Sequence, residues 1–376
     1  MNNPRWRASR LAVIGITVSA LALTGCAGAG DNEPAATAPG EGSEQAAEEP
    51  SLEFAGPNGE VPATLDQLAL TDDERAQVSA GAYTAAFVWH TSSEFVSAVE
   101  QGAREEFESL GIEVVASTEA GFDAATQASN IESVLALQPD IVVGIAVDAV
   151  SAEASFQPIV DAGVKLVIMT TPPANFTAGE EFVSIVTESL TDAGRANAEL
   201  LGEALGGQGT VGYIFFDADF WFTQQRDQAF LDWMAFLYPD IEIVAQEGFA
   251  DEARTEEVAG ALIARNPDVQ GLYVSWATAA QGVVAALRNA GSDAKVVTND
   301  LDATLAADLV AGGNVVGLVG NGALDIGRGL AIAGAFGVLG KEAPALVASP
   351  PVKVTADNLA EAWLLDYGTE PPASVR

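Results

Sequence analysis

Short apolar runs alternate with longer amphipathic segments over most of the chain, from residue 83 onward. In the first long segment, residues 93–110, Phe95, Val99, Ala103 and Phe107 repeat at the spacing that places side chains on one face of a helix. The short runs are almost continuously apolar, which is typical of parallel sheets covered by helices on both faces. Strands are predicted at residues 83–90, 112–117, 141–147, 165–170, 182–186, 211–216, 241–246, 272–276, 296–299 and 315–319.

This alternation extends over about 290 residues, more than one hydrophobic core usually covers. We therefore predict an α/β fold with two doubly wound parallel-sheet lobes. Residues 27–50, in contrast, are mainly Ala, Gly, Glu, Pro and Ser without an aromatic residue, which favours a flexible acidic tether. Thr71 and Glu74 fit a capping box at the start of a short helix ending near Ser79.

The first residues have the pattern of an export signal. Arginines precede an apolar segment, residues 11–23, that is too short to span a bilayer and ends in Leu-Thr-Gly-Cys. This ending resembles the bacterial lipoprotein box, in which the cysteine carries the lipid. We expect residues 1–25 to be a signal peptide and Cys26, the one cysteine of the chain, to anchor the protein to the outer face of the cytoplasmic membrane.

The composition excludes several classes of function. With 53 acidic against 16 basic residues and a net charge of −37, the chain lacks the cationic surface that nucleic acids require. One histidine and one cysteine leave little material for a metal site or a nucleophile–base pair. We therefore expect no nucleic-acid partner, no metal and no cofactor.

The loop at residues 217–222 holds two acids and three aromatic residues between a predicted strand and a helix that presents Arg226. Ligands of open α/β sheets bind at the carboxyl ends of strands. This position predicts a pocket for a small polyhydroxylated molecule, with rings for its C–H faces and polar groups for its hydroxyls. The alternative is that the aromatic residues fill a core between the lobes.

The order of elements, with several local phrases, resembles the type I periplasmic binding proteins, specifically the ribose-binding branch that delivers sugars to ABC transporters. The phrases are an aromatic and Ser/Thr cluster after the first strand, Pro-Asp-Ile at 139–141, Asp-Ala-Gly at 192–194, Gln-Arg-Asp-Gln-Ala-Phe at 225–230 and Asn-Asp at 299–300. The resemblance implies a hinge that the chain crosses three times, a ligand in the cleft between the lobes, a membrane permease as partner and a monomeric protein.

The resemblance also implies the domain boundaries. Residues 26–81 would be the lipid-anchored tether and a short helical extension. The first lobe would comprise residues 82–186 and 321–348, and the second lobe residues 187–320 and 349–376.

Individual site residues follow from the same resemblance. Arg226 falls on the cleft arginine of the second lobe, Asp300 on a strand-end aspartate that accepts from sugar hydroxyls, and Asn321 on a cleft glutamine. Phe95 aligns with a stacking ring in the loop after the first strand. The expected ligand contacts are Trp89, His90, Thr91, Ser92, Ser93, Phe95, Thr170, Asp219, Trp221, Arg226, Phe249, Trp276, Asp300 and Asn321.

Two departures from the family pattern affect the expected ligand. An Asp-Arg pair of the first lobe is replaced by Thr170-Thr171, and an Asn-Asp pair of the second lobe by Trp276-Ala277. Loss of a charged fork and gain of a tryptophan favour a shorter or less polar ligand than ribose, such as a tetritol or pentitol; a pentose is retained as a further expectation.

Several of these residues have structural alternatives. His90 is interpreted first as a hydrogen-bonded strand-end residue, and Asp300 as a possible helix cap. Arg226 has Asp217 and Asp219 as candidate ion-pair partners. Trp276 fits either a core or a pocket wall, and Asp148 is predicted to cap the helix that follows it.

The sequence leaves two functions open besides binding for transport and argues against two others. A sensor could use the same fold without transport. A glycosidase could draw an acid–base pair from Glu94, Asp217, Asp219 and Asp300. The Gly-x-Gly-x-x-Gly at residues 207–212 precedes a strand rather than following one, so it is not a dinucleotide site. A DNA-binding regulator is excluded, because no helix-turn-helix precedes residue 83.

Overall fold

A computed structural model of the chain describes residues 53–375. The predicted signal peptide, the lipid at Cys26 and the tether through residue 52 lie outside the described residues. Within the described range, the strands form one sheet of seven and one of six. The first sheet comprises β1 (Pro62–Thr64), β2 (Thr84–Trp89), β3 (Glu113–Glu119), β4 (Ile141–Gly144), β5 (Lys165–Met169), β6 (Ile185–Glu188) and β12 (Leu346–Ser349). The second comprises β7 (Gln208–Phe216), β8 (Asp240–Phe249), β9 (Gly271–Val274), β10 (Lys295–Asn299), β11 (Val315–Gly320) and β13 (Val352–Val354).

Helices cover both sheets. The first sheet has the strand order β1-β12-β6-β5-β4-β2-β3 with all pairs parallel. The second has the order β13-β11-β10-β9-β7-β8, in which only β13 is antiparallel to its neighbour among the described strands. The helices are α1 (Asp72–Ala80), α2 (Glu94–Ser109), α3 (Ala124–Leu135), α4 (Ala149–Asp161), α5 (Leu190–Ala204), α6 (Trp221–Leu237), α7 (Thr255–Arg265), α8 (Ala277–Ala290), α9 (Ala303–Val310), α10 (Ala323–Leu339) and α11 (Leu359–Tyr367). The predicted fold class is confirmed.

Local sequence explains how α2 reaches its place beside the cleft. Ser93 caps the helix, since its hydroxyl accepts from the Val96 amide at 3.1 Å. Helix α10 lies against α2 so closely that a Cβ at Gly102 would collide with the Leu324 carbonyl oxygen. The glycine therefore sets the helix spacing and the position of the α2 N-terminus. No helix among residues 53–375 is both long and apolar enough to cross a membrane.

The chain passes between the sheets at three short connections. Ser189 joins β6 to α5, and residues 321–322 join β11 to α10. Pro350 and Pro351 alone separate β12 from β13, which belong to different sheets. Two expected boundaries therefore need correction: β6 continues to Glu188, past residue 186, and β12 continues through Ser349, past residue 348.

Residues 53–81, called here the N-terminal extension, form more than a short helix. The predicted capping box at Thr71 and Glu74 is confirmed at the start of α1. Beyond it, β1 pairs in parallel with β12 and becomes the edge strand of the first sheet. Leu68 and Val78 are buried in the core of this lobe. A strand and two core residues, which the expected short helical extension did not include, therefore attach residues 53–81 to the first lobe.

Candidate functional site

A cavity lies between the two lobes at the carboxyl ends of their strands, where ligands of open α/β sheets bind. Its volume is about 70 Å³. In the same measure one water molecule requires roughly 10 to 15 Å³, so the space suits a small molecule. The lining residues are His90, Thr91, Ser92, Ser93, Phe95, Val96, Phe122, Ile145, Met169, Thr170, Phe220, Phe222, Thr223, Arg226, Glu252, Trp276, Thr278 and Asp300.

Aromatic rings from both lobes meet at this cavity. Phe122, between β3 and α3, lies 5.8 Å from Phe216 and 6.3 Å from Trp276 of the other lobe, measured between ring centroids. Trp276 donates its indole N–H to the Glu252 carboxylate at 2.9 Å. Phe122 adopts a left-handed backbone with φ of 60°, which is unusual for a bulky residue and directs its ring across the cleft. The rings hold the two lobes in a closed arrangement.

Arg226 is the buried cation of the site. It lies on α6 four residues after Phe222, so the helical repeat places its guanidinium 4.7 Å from that ring. Its Nη1 donates to Glu188 of β6 at 2.7 Å, and its Nη2 donates to the Ser275 carbonyl. Ion pairing with Glu188 raises the pKa of Arg226 even though burial opposes its charge. The guanidinium is therefore charged, and first-lobe and second-lobe groups both orient it.

Acidic and amide groups surround this arginine. Asp300 follows β10 and accepts from the Asn321 amide at 2.7 Å. Burial holds the pKa of Glu188 and of Asp300 above the usual range, and Arg226 opposes both shifts. Among the described residues, Arg226 Nε, Glu188 Oε2 and Asn321 Oδ1 are buried without a hydrogen-bond partner. Unpaired buried polar atoms are costly, and here they cluster beside the cavity.

His90 contributes a neutral ring to the first-lobe wall. Burial lowers its pKa to about 4, so the imidazole is uncharged at neutral pH. The ring lies edge-on to Phe122 at 4.9 Å and faces Phe220 at 6.2 Å. Its Nδ1 has no partner within residues 53–375, so the hydrogen-bonded interpretation is not what the structure shows at this nitrogen.

The structure brings together nine of the fourteen expected contacts. Those that line the cavity are His90, Thr91, Ser92, Ser93, Phe95, Thr170, Arg226, Trp276 and Asp300. Those that lie outside its lining are Trp89, Asp219, Trp221, Phe249 and Asn321.

Two of these exceptions, Trp89 and Asn321, lie outside the lining because of the direction of a strand side chain and because of a neighbouring carboxylate. Trp89 is the last residue of β2 and points into the first-lobe core, where it stacks on Phe87 and donates to Glu100 at 2.6 Å. Its direction follows from the alternation of side chains along a strand. Asn321 is fully buried behind Asp300 and reaches the cavity only through that carboxylate.

The other three exceptions lie around the cavity on the second lobe. Asp219 is exposed in the loop before α6 and accepts from Gln224 of that helix. Trp221 stacks on Phe54 of the N-terminal extension. Phe249 is buried beneath Trp276, with 4.9 Å between ring centroids. It therefore supports the wall rather than forming its surface.

The alternatives for single residues are also decided by these contacts. Arg226 pairs with Glu188 and not with the exposed Asp217 or Asp219. Trp276 lines the cavity and packs on Phe249 as well. Asp148 accepts from the Ser151 amide at 2.6 Å, which confirms its role as a helix cap. Of the loop at 217–222, Phe220 and Phe222 both line the cavity and join the first-lobe core, so the two interpretations of this loop coexist.

Phe220 and Phe222 of the lining belong to the loop at 217–222, where the sequence predicted a pocket, although they were not among the expected contacts. Seven further lining residues were not anticipated: Val96, Phe122, Ile145, Met169, Thr223, Glu252 and Thr278. Four of these, Phe122, Ile145, Met169 and Glu252, lie at or just after the end of a strand, and that position was a usable signal. Of the four carboxylates named for a glycosidase, Glu94, Asp217, Asp219 and Asp300, Asp300 lines the cavity and the other three do not.

Comparisons with known proteins place these observations in a family. Residues 85–334, about two thirds of the chain, match the family model described as periplasmic binding protein domain. A search of curated protein sequences found no match.

Several solved structures have the same fold. An ABC transporter solute-binding protein from Agrobacterium vitis, bound with α-D-tagatopyranose, has 20% identity and a TM-score of 0.69, covering 76% of this chain and 98% of that chain. A solute-binding protein from Mycobacterium smegmatis with bound glycerol has 22% identity and a TM-score of 0.68, covering 77% and 99%. An arabinose-binding protein from Geobacillus stearothermophilus has 20% identity and a TM-score of 0.64, covering 73% and 97%.

These structures show a shared fold, and the family model covers most of the two lobes. The resemblance noted from the sequence is thus confirmed. The chain belongs to the type I periplasmic binding protein family, and it is a binding protein rather than an enzyme.

Proposed function

We propose that the protein captures a small, uncharged sugar or sugar alcohol between its lobes and presents it to an ABC permease. The observation that carries this proposal is the cavity between the lobes, which both lobes line with rings and hydrogen-bonding side chains. A ligand there would lie between the two lobes and touch both, as in hinge-closing binding proteins.

The lining suits a polyhydroxylated ligand. Rings such as Phe95, Phe122 and Trp276 offer flat apolar faces to C–H groups, and Asp300 and Glu252 offer acceptors to hydroxyls. A missing or inverted hydroxyl would leave a buried polar group unpaired, so we expect stereochemical selectivity. Arg226 is already paired with Glu188. The lining thus has no spare cation among the described residues, which disfavours acidic sugars.

Size favours the smaller members of this class. A cavity of about 70 Å³ corresponds to roughly five to seven water molecules in this measure, which favours a short ligand. Of the related structures, one is bound with α-D-tagatopyranose and another with glycerol, two molecules of different length. For this chain we propose a tetritol, a pentitol or a pentose.

A ligand screen by thermal shift tests the proposal. The chain from Ala27 onward is heated with aldoses, ketoses, tetritols, pentitols, hexitols and amino acids at millimolar concentration. A ligand at 100 times its dissociation constant adds about 2.7 kcal/mol to the free energy of unfolding, so the midpoint should rise for one sugar or polyol and not for its epimers. A rise with amino acids alone, or no rise at all, would contradict the proposed ligand class.

Export and anchoring are part of the same proposal. The Leu-Thr-Gly-Cys ending at Cys26 supports a lipid that holds a monomeric protein at the membrane's outer face. Expression of the full chain and of Cys26→Ala in a bacterial host, followed by membrane fractionation, tests it. The natural chain should sediment with membranes and the variant should not. Equal distribution of both forms would contradict the anchor.

A further inference from the structure

The N-terminal extension contacts both lobes, although it precedes the residues that match the family model, 85–334. Its attachment to the first lobe is extensive. Strand β1 adds to the first sheet, Glu74 pairs with Lys341 at 2.9 Å, and Arg75 pairs with Glu106 at 2.8 Å. The extension therefore moves with the first lobe.

Its contact with the second lobe is made by the ring of Phe54. This ring stacks on Trp221 with 6.4 Å between centroids and 29° between planes. Close by in the sequence, the Asn58 amide donates to the Phe176 carbonyl of the first lobe at 3.2 Å. Phe54 is thus held from the first-lobe side while its ring faces a residue of the second lobe.

The position of Trp221 in the second lobe affects the ligand site directly. It is the first residue of α6, and the next residues of this helix, Phe222, Thr223 and Arg226, line the cavity. Its ring also packs against the first-lobe core. Rotation of the lobes away from each other would separate Phe54 from Trp221, because the two residues belong to different bodies.

We propose that Phe54 is a positioning residue of the ligand-binding site. By stacking on Trp221, it holds the start of α6 in the closed arrangement and adds to the stability of the closed state. Ligand affinity then depends on a residue outside both the cavity and the matched family domain. The affinity part of this inference rests on the proposed function, whereas the effect on lobe closure does not.

The experiment compares Phe54→Ala with Leu65→Ala. Leu65 also belongs to the extension, but it packs on the first lobe at Gly329 of α10. Both variants remove packing of the extension, and Phe54→Ala alone removes the stacking across the lobes. Phe54→Tyr keeps the ring and should behave as the natural protein. Phe54→Ala in a Trp221→Ala background should have no further effect.

Two measurements separate the outcomes. Small-angle scattering without ligand should give a larger radius of gyration for Phe54→Ala than for Leu65→Ala. Titration with erythritol, a tetritol, should give a dissociation constant raised about two- to tenfold by Phe54→Ala, as expected for loss of one aromatic pair. Equal behaviour of Phe54→Ala and Leu65→Ala in scattering overturns the proposal. Absence of erythritol binding in every variant counts against a tetritol as the ligand and leaves the scattering result to decide on Phe54.

Discussion

Glu188 of the first lobe and Arg226 of the second form an ion pair 2.7 Å long, with both side chains only 1% exposed. Glu188 ends β6 directly before the first connection between the lobes, and Arg226 lines the cavity. The pair therefore joins the hinge to the ligand site through one contact. Because neither charged group is in contact with water, each is stabilised in its charged form by the other.

Removing one partner of this pair should cost more than removing both. Arg226→Met leaves the Glu188 carboxylate buried and unpaired, which we expect to lower the free energy of unfolding by about 3 to 5 kcal/mol. The double variant Glu188→Gln/Arg226→Met has no orphaned charge and should recover part of that loss. Urea denaturation measures both. Additive losses from the two single changes would contradict the coupling.

Asp300→Asn should separate ligand binding from folding. The backbone at Asp300 is left-handed, with φ of 71°, and asparagine tolerates this conformation. The variant should fold, yet lose a charged acceptor for ligand hydroxyls, worth about 1.5 to 3 kcal/mol of binding. Calorimetry with the ligand from the thermal screen tests this. The matched control is Asp302→Asn, since Asp302 caps α9 and lies outside the lining. Unchanged ligand affinity in Asp300→Asn would show that Asp300 does not contact the ligand.

Thr170→Gly should raise the free energy of unfolding. Thr170 lines the cavity and has φ of 61°, a strained value for a β-branched residue. Strain of this kind costs about 1 to 3 kcal/mol, partly offset by the greater freedom of glycine in the unfolded chain. We expect a net gain of up to about 1 kcal/mol in thermal or urea unfolding. Thr171→Gly, beside it but without a positive φ, should only destabilise; the same loss in both variants would show that Thr170 is unstrained.

Stability should fall as pH rises from about 4 to 6 because of Asp366. Burial raises the pKa of this carboxyl from 3.8 to about 6, although the Gly322 amide donates to it at 2.8 Å. Between these values the folded chain retains the proton of Asp366 and the unfolded chain loses it. The stabilisation from the protonated carboxyl is therefore fully present below pH 3.8 and is lost as the pH rises through about 6. Asp366→Asn should flatten this part of the stability profile in urea unfolding. An unchanged slope would mean that other buried acids dominate.

The two-lobed fold could be predicted because continuous apolar strands and amphipathic helices leave a regular pattern in the chain. Strand ends were less predictable. Residues 182–184 read as the start of a strand, whereas β6 begins at Ile185, where pairing with β12 begins. Pairing between distant segments decides such bounds, and the local pattern does not contain it.

The site was predictable to the extent that it follows strand ends. Asp300 and the loop after β2 were expected from the family resemblance, and both lie at strand ends. The partner of Arg226 was not, because Glu188 is 38 residues away and on the other lobe. Nothing in the local sequence of Trp221 indicated that Phe54, rather than a ligand, would cover its ring. Contacts across the closed cleft are set by the relative placement of two bodies, which periodicity does not encode.

The third connection between the lobes consists of Pro350 and Pro351. Each pyrrolidine ring fixes φ near −65°, so this connection has fewer backbone torsions that can change when the lobes rotate. We expect the change in backbone torsions on rotation of the lobes to occur mainly at Ser189 and at residues 321–322, where Gly322 has φ of 70°. We therefore expect the lobes to rotate about one preferred axis, so that each ligand is contacted by the same faces of the two lobes.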